Sequence, residues 1–185
     1  DLFEELGDQP WVTRETIERF HLGYSPARGD TLIQHLLKKG LSVKNLEECG
    51  LAKRSDDGYR HYDAFRNRVM FPITDIQGRV IAFGGRALGD SQPKYLNSPE
   101  TRLFDKGSTV FNFARARQAA FDKDELIVVE GYMDVIALAQ HGISLTRIES
   151  RPSRKKKWDY VFFIDLDGHA EREPLATALA ELKRR

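Results

Sequence analysis

Two short apolar runs in this chain end in acid. Leu126-Ile127-Val128-Val129 leads into Glu130, and Tyr160-Val161-Phe162-Phe163-Ile164 leads into Asp165. Runs of this length, rich in β-branched and aromatic residues, read as strands. Neither approaches the ~20 residues that a membrane span requires. After the first run, Gly131 permits a sharp turn, and residues 133–140 repeat at helical spacing until His141-Gly142 stops them. Strand, tight turn and helix in that order, with further helices before them, predict an α+β chain.

The rest of the chain divides by pattern. Residues 1–50 read as short helices. Thr13 is a natural N-cap for a helix carrying Ile17, Phe20 and His21, and Gly23-Tyr24-Ser25-Pro26 breaks it. Asp30 or Thr31 caps a second helix with Leu32, Ile33, Leu36 and Leu37 on one face, closed by Gly40. Ser42 opens a third, over 43–49, ended by Gly50. Residues 51–113 carry short β-like runs, at 68–73 and 79–83, with Gln77-Gly78 as the hairpin turn between them. An irregular stretch, 84–107, follows, and a loop of that length in a compact domain is usually functional. Helices are predicted over 114–121 and from Glu173-Pro174 onward, and strands over 143–148 and 160–164.

Composition limits the function classes. With 185 residues and 41% hydrophobic content, the chain can bury a core. Lys and Arg total 29 against 28 Asp and Glu, so any binding of nucleic acid must come from local patches. A single cysteine, Cys49, excludes an internal disulfide framework and a multi-cysteine zinc site, and is expected to be buried. The first residues lack a basic stretch followed by an apolar one, so a cytoplasmic setting is expected.

Four constellations could carry chemistry. Glu130, at the carboxyl end of a strand, and Asp134, in the first turn of the next helix, could hold Mg²⁺ or move a proton; equally, Glu130 could cap the helix and Asp134 offset its dipole. Asp165 and Asp167 alternate along an extended chain, so both point to one face and could share a divalent cation; Asp-Gly is also a common turn. Arg66, Arg68, Arg86, Lys94 and Lys106 surround the irregular stretch, interleaved with Tyr95 and Asn97, a composition suited to phosphates and base stacking, or to a solvated face. Arg151 and Arg154-Lys155-Lys156-Lys157, before Trp158, form a basic run of the kind found at solvated hairpin tips.

Several of these motifs occur together in one known order. Arg66-Asn67-Arg68-Val69-Met70-Phe71-Pro72-Ile73, Val80-Ile81-Ala82-Phe83-Gly84-Gly85-Arg86, Pro93-Lys94-Tyr95-Leu96-Asn97-Ser98-Pro99-Glu100-Thr101, Phe104-Asp105-Lys106-Gly107 and Val129-Glu130-Gly131-Tyr132-Met133-Asp134 resemble the RNA-polymerase core of bacterial DNA primase, over roughly residues 1–142. The resemblance implies a mixed α/β N-terminal subdomain followed by a Toprim fold. It implies synthesis of short RNA primers on single-stranded DNA from nucleoside triphosphates with Mg²⁺. It maps the acidic motif onto Glu130 and Asp134, and a basic cleft onto Arg66, Arg68, Arg86, Lys94 and Lys106, with Tyr95 and Asn97 beside them.

Past Gly142 the pattern changes. Gly142-Ile143-Ser144-Leu145-Thr146-Arg147-Ile148-Glu149-Ser150-Arg151-Pro152 and the run from Tyr160 to His169 resemble the ACT domain of prephenate dehydratase. In that family the segment matching Glu149, Ser150, Arg151 and Pro152 helps bind phenylalanine. The chain therefore reads as two partial domains joined at 141–143. Its expected organisation is a primase-like subdomain over 1–121 and a hybrid Toprim/ACT-like unit over 122–185. Asp165 and Asp167 stand where a primase would have Asp-Gly-Asp, so the metal site expected from Glu130, Asp165 and Asp167 is incomplete. Zinc-binding and helicase-binding domains are expected to be absent, as is a membrane segment. Residues 143–185 are expected to be the less stable part, with an open sheet edge that invites self-association. The resemblances leave a primase-like enzyme, a phenylalanine-sensing module and an inactive fused or designed chain as alternatives.

Overall fold

The computed structural model describes residues 13–124, 129, 131–140, 145–152 and 160–166, the last two segments through their backbone. It divides into two compact units, Asp1–Phe111 and Asn112–Arg185. The architecture is α+β, as the patterns predict. No described helix is long and apolar enough to cross a membrane.

The first unit opens with helix α1 (Arg14–Phe20), where the Thr13 hydroxyl accepts from the Thr16 N–H at 3.1 Å. Thr16 and Phe20, one turn apart, are its buried residues. The segment expected only to break this helix does more: Gly23–Ser25 forms strand β1. Helices α2 (Thr31–Lys38) and α3 (Val43–Glu48) follow. Ser42 and Asn45 close a capping box on α3, the reciprocal arrangement that satisfies two orphan N–H groups. Ile33, Leu46 and Ala52 make a small core, with Leu36 and Leu51 packed against it.

Neither Asp30 nor Thr31 supplies the side-chain cap of α2. Asp30 occupies the N-cap position but makes no side-chain hydrogen bond to the helix. The cap comes from Asp63, whose carboxylate accepts from the N–H groups of Leu32 (2.8 Å) and Ile33 (3.0 Å). Asp63 ends an antiparallel hairpin of β2 (Ala52–Arg54) and β3 (His61–Asp63), which the hydropathy pattern did not reveal because each strand has only three residues. Cys49 is exposed rather than buried, because it is the C-cap of α3 and lies beyond the helical turn whose face Leu46 buries.

The main sheet has the order β1-β4-β5-β6, with every neighbouring pair antiparallel. Strands β4 (Arg68–Thr74) and β5 (Val80–Ala87) are joined through a turn in which Asp75 accepts from the N–H groups of Gln77 and Arg79, each at 2.9 Å. Gly78 takes φ +83 there, a conformation that disfavours side chains. Pro72 pairs with Phe83 beyond the end of β1, where, among the described residues, no strand flanks its other edge to require the missing N–H. The stretch read as irregular contains the end of β5 and a further strand, β6 (Tyr95–Asn97).

In the second unit, helix α4 (Phe113–Lys123) and helix α5 (Tyr132–Gln140) precede strands β7 (Leu145–Pro152) and β8 (Tyr160–Leu166). Helix α5 buries Met133, Ile136, Ala137 and Leu138. Strands β7 and β8 pair antiparallel, with a register irregularity between Leu145 and Arg147. The expected strand over 126–129, apart from Val129, and the C-terminal helix lie outside the described residues.

Candidate nucleic-acid interface

Register decides which of the predicted basic residues share a surface. Val69 pairs with Arg86, and Arg86 with Tyr95; in the next row Phe71 pairs with Gly84, and Gly84 with Asn97. Opposed residues of an antiparallel pair lie on one face. Arg86, Tyr95 and Asn97 therefore share a face, with Tyr24 of β1 opposite Val69 at the far end of the same row. Val69 and Phe71 are fully buried at the base of this face, while Tyr95 and Asn97 are exposed at its β6 edge. Lys94 is exposed beside them.

Arg68 belongs to the other face and plays a different part. It is buried, and its Nη1 donates to the carbonyls of Gly85 at 3.4 Å and Lys94 at 3.5 Å. Burial, reinforced by the nearby Arg66 charge, lowers its pKa below the ordinary guanidinium value. An arginine so held remains protonated at neutral pH. Its bonds fasten β6 to the sheet interior, so Arg68 supports the surface from behind instead of lying on it. Gly85 makes this possible: a Cβ there would sit 2.9 Å from the Phe65 ring and 3.0 Å from Arg68 Cδ.

Two residues outside the predicted set hold the loop that follows. Ser98 is buried; its Oγ accepts from the Phe83 N–H at 3.0 Å, and its own N–H donates to the Phe83 carbonyl at 2.8 Å. Gly50, at φ +70, lies so close to Pro99 that a Cβ would come within 2.6 Å of the proline ring. The sequence signal for Ser98 is its place between Asn97 and a proline, which cannot continue a ladder. Lys106 is exposed, and its backbone N–H donates to Glu100 at 3.1 Å.

Arg66 is also exposed, and its guanidinium lies 4.7 Å from the centroid of the Tyr62 ring. A cation over an aromatic face contributes roughly 0.5–1 kcal/mol at an exposed site. Tyr62 escaped the sequence reading, although an aromatic four residues before an arginine is a usable signal.

The acidic candidates fall in the second unit. Asp134, in the first turn of α5, is half-buried, and the Gly131 N–H donates to its Oδ2 at 3.1 Å. A Cβ at Gly131 would lie 2.8 Å from that oxygen, so any larger residue there would push the Asp134 carboxylate aside. Tyr132 is pushed up to about 12 by burial. Glu130 and Asp167 lie outside the described residues, and Asp165 is placed by backbone alone, opposite Arg147. Among the described residues, no three His, Cys, Asp or Glu side chains gather as metal ligands. Glu149, Ser150, Arg151 and Pro152 lie in β7 opposite Phe163, Phe162, Val161 and Tyr160.

Comparison with known proteins gives these motifs a family. The model of the DNA primase catalytic core, N-terminal domain, matches residues 8–117, and the ACT domain model matches residues 136–184. The DNA primase of Pseudomonas aeruginosa is 53% identical over 132 residues, which is 71% of this chain and 20% of that protein. The Halalkalibacterium halodurans DNA primase is 44% identical over 153 residues, covering 77% of this chain and 25% of the relative. Thus the chain spans only a fifth to a quarter of these curated relatives. Among solved structures, a DNA primase domain from Pseudomonas aeruginosa superposes with a TM-score of 0.65 at 51% identity, over 71% of this chain and 41% of that one. A DnaG primase catalytic domain bound to ssDNA gives 0.64 at 46% identity, over 75% of this chain and 44% of that one. On this evidence the chain belongs to the family of the DNA primase catalytic core, N-terminal domain.

Proposed function

We propose that this chain holds single-stranded DNA on the first unit, as part of a primase-type catalytic core that makes short RNA primers from nucleoside triphosphates. The observation that carries the reading is the shared face of Arg86, Tyr95 and Asn97, with Lys94 exposed beside it. A guanidinium and an ammonium attract phosphates regardless of sequence, and an exposed tyrosine ring offers a base a stacking surface. Arg66 and Lys106 add exposed cations. Arg68 contributes by holding β6 through the Lys94 carbonyl.

Mg²⁺ suits the acidic set by donor chemistry, since it takes hard carboxylate and phosphate oxygens. Asp134 would hold it together with Glu130, Asp165 and Asp167. Bound there, the ion would neutralise the oxygens of a transferring phosphoryl group. Asp134 is already oriented by the Gly131 N–H, which keeps one carboxylate oxygen fixed.

The test is fluorescence anisotropy of a labelled oligothymidylate at several salt concentrations. Binding is expected, with Arg86→Ala and Lys94→Ala each weakening it and lowering its salt dependence by about 0.7 in logarithmic slope. Variants indistinguishable from the parent would refute this assignment. Labelled-nucleotide incorporation with and without Mg²⁺ tests the catalytic half separately.

A second reading concerns residues 136–184, which the ACT match supports. Here Glu149, Ser150, Arg151 and Pro152 would contribute to a phenylalanine site. Calorimetric titration with phenylalanine, in the absence of Mg²⁺, distinguishes it from the metal-dependent reading.

A further inference from the structure

Most cations around the β2–β3 hairpin already face a carboxylate. Arg54 Nε lies 3.6 Å from Glu47 Oε1, Arg60 Nη2 3.8 Å from Asp57 Oδ2, and Arg28 Nε 2.9 Å from Asp30 Oδ1. Lys53 and Arg66 differ: among the described residues, neither has an ion-pair partner, and both are exposed.

Register explains why these two stand apart. Lys53 opposes Tyr62, so their side chains share one face of the hairpin. The other face carries Ala52, Arg54, His61 and Asp63, and the protein occupies it. Ala52 joins the small core, His61 Nε2 lies 3.1 Å from Glu47 Oε1, and Asp63 caps α2. The outward face presents Lys53 and then Tyr62, over which the Arg66 guanidinium is held at 4.7 Å. Two cations unbalanced by carboxylate and flanking an aromatic ring match a polyanion better than they match a protein surface of mixed charge.

We infer that the Lys53–Tyr62–Arg66 row is a further segment of the single-stranded DNA path, with Lys53 and Arg66 each holding a backbone phosphate and Tyr62 acting as the positioning residue for Arg66. This rests on the reading of the first unit as a DNA-holding surface, and extends it from Arg66, already among its cations, to Lys53 and Tyr62 of the β2–β3 hairpin, which lies outside the primase-like motifs. Lys and Arg supply non-specific phosphate contacts, so the segment adds affinity and salt dependence without sequence preference.

The experiment is anisotropy of the full chain with a short oligothymidylate, sized for the Arg86 and Lys94 face, and a long one that reaches the hairpin. Lys53→Ala should lower the logarithmic salt slope on the long strand by about 0.7 and leave the short strand unchanged. Tyr62→Leu should reproduce the loss seen with Arg66→Ala, while Tyr62→Phe, which keeps the ring, should match the parent. If Lys53→Ala and Tyr62→Leu leave both strands unaffected while Arg86→Ala and Lys94→Ala weaken binding, the extension fails and the main assignment stands. If the parent chain binds neither strand, both fail. An effect of Arg66→Ala without one from Tyr62→Leu overturns the positioning role.

Discussion

The carboxylate of Asp63 caps a helix at Ile33, thirty residues earlier in the chain. Its second oxygen takes the Leu32 N–H, so one buried side chain satisfies two orphan donors of α2 and ties the β2–β3 hairpin to the helical module. The Asp63 N–H, in turn, donates to the Gly29 carbonyl at 2.6 Å.

Asp63→Ala should therefore destabilise the first unit by about 2 kcal/mol, since hydrogen bonds to a charged group contribute ~1.5–3 kcal/mol. Urea denaturation followed by circular dichroism measures it. Asp30→Ala, at the nominal N-cap, should cost much less. Equal effects of the two would contradict the assignment of the cap.

Gly85→Ala tests the packing behind the face proposed to hold DNA. The added methyl would lie 2.9 Å from the Phe65 ring and 3.0 Å from Arg68 Cδ, both inside van der Waals contact. Overpacking of this kind costs ~1–3 kcal/mol. Because Arg68 must shift, its bond to the Lys94 carbonyl should weaken, and affinity for single strands should fall in parallel with stability. A variant as stable as the parent would show that this contact yields freely.

Ser98→Ala removes the acceptor of the Phe83 N–H while leaving the backbone in place. A buried donor without a partner costs ~1–3 kcal/mol. Amide exchange at Phe83 should accelerate more than at the β4–β5 positions around Phe71. Unchanged protection at Phe83 would count against the bond.

Alkaline titration tests the second unit. Burial disfavours the Tyr132 phenolate and raises its pKa from 10.0 to about 12. A raised acid stabilises the fold fully below the unfolded pKa, and that contribution disappears as pH rises through the folded value. Of the six tyrosines, Tyr132 should ionise late by phenolate absorbance, and Tyr132→Phe should remove both the late phase and part of the alkaline unfolding. All six titrating together at the ordinary value would refute this.

What the residues determined alone is local. Thr13 and Ser42 cap the helices that follow them because a hydroxyl reaches a donor two or three residues ahead. The β4–β5 hairpin was legible from the Gln77-Gly78 turn, which Asp75 closes by accepting from the Gln77 and Arg79 N–H groups. The motifs from Arg66 to Gly107 were enough to indicate the family. Tertiary structure decided which residues those motifs bring together. Arg68 and Arg86 look equivalent in sequence, yet strand alternation and the β4–β5 register set them on opposite faces, one inside the sheet and one in the Tyr95 row. Three-residue strands such as β1, β2, β3 and β6 carry too little periodicity to be read, because longer-range partners, not their own composition, hold them extended. Likewise, no local pattern announces that Asp63 caps α2, since that contact exists only once the hairpin folds back onto the helix.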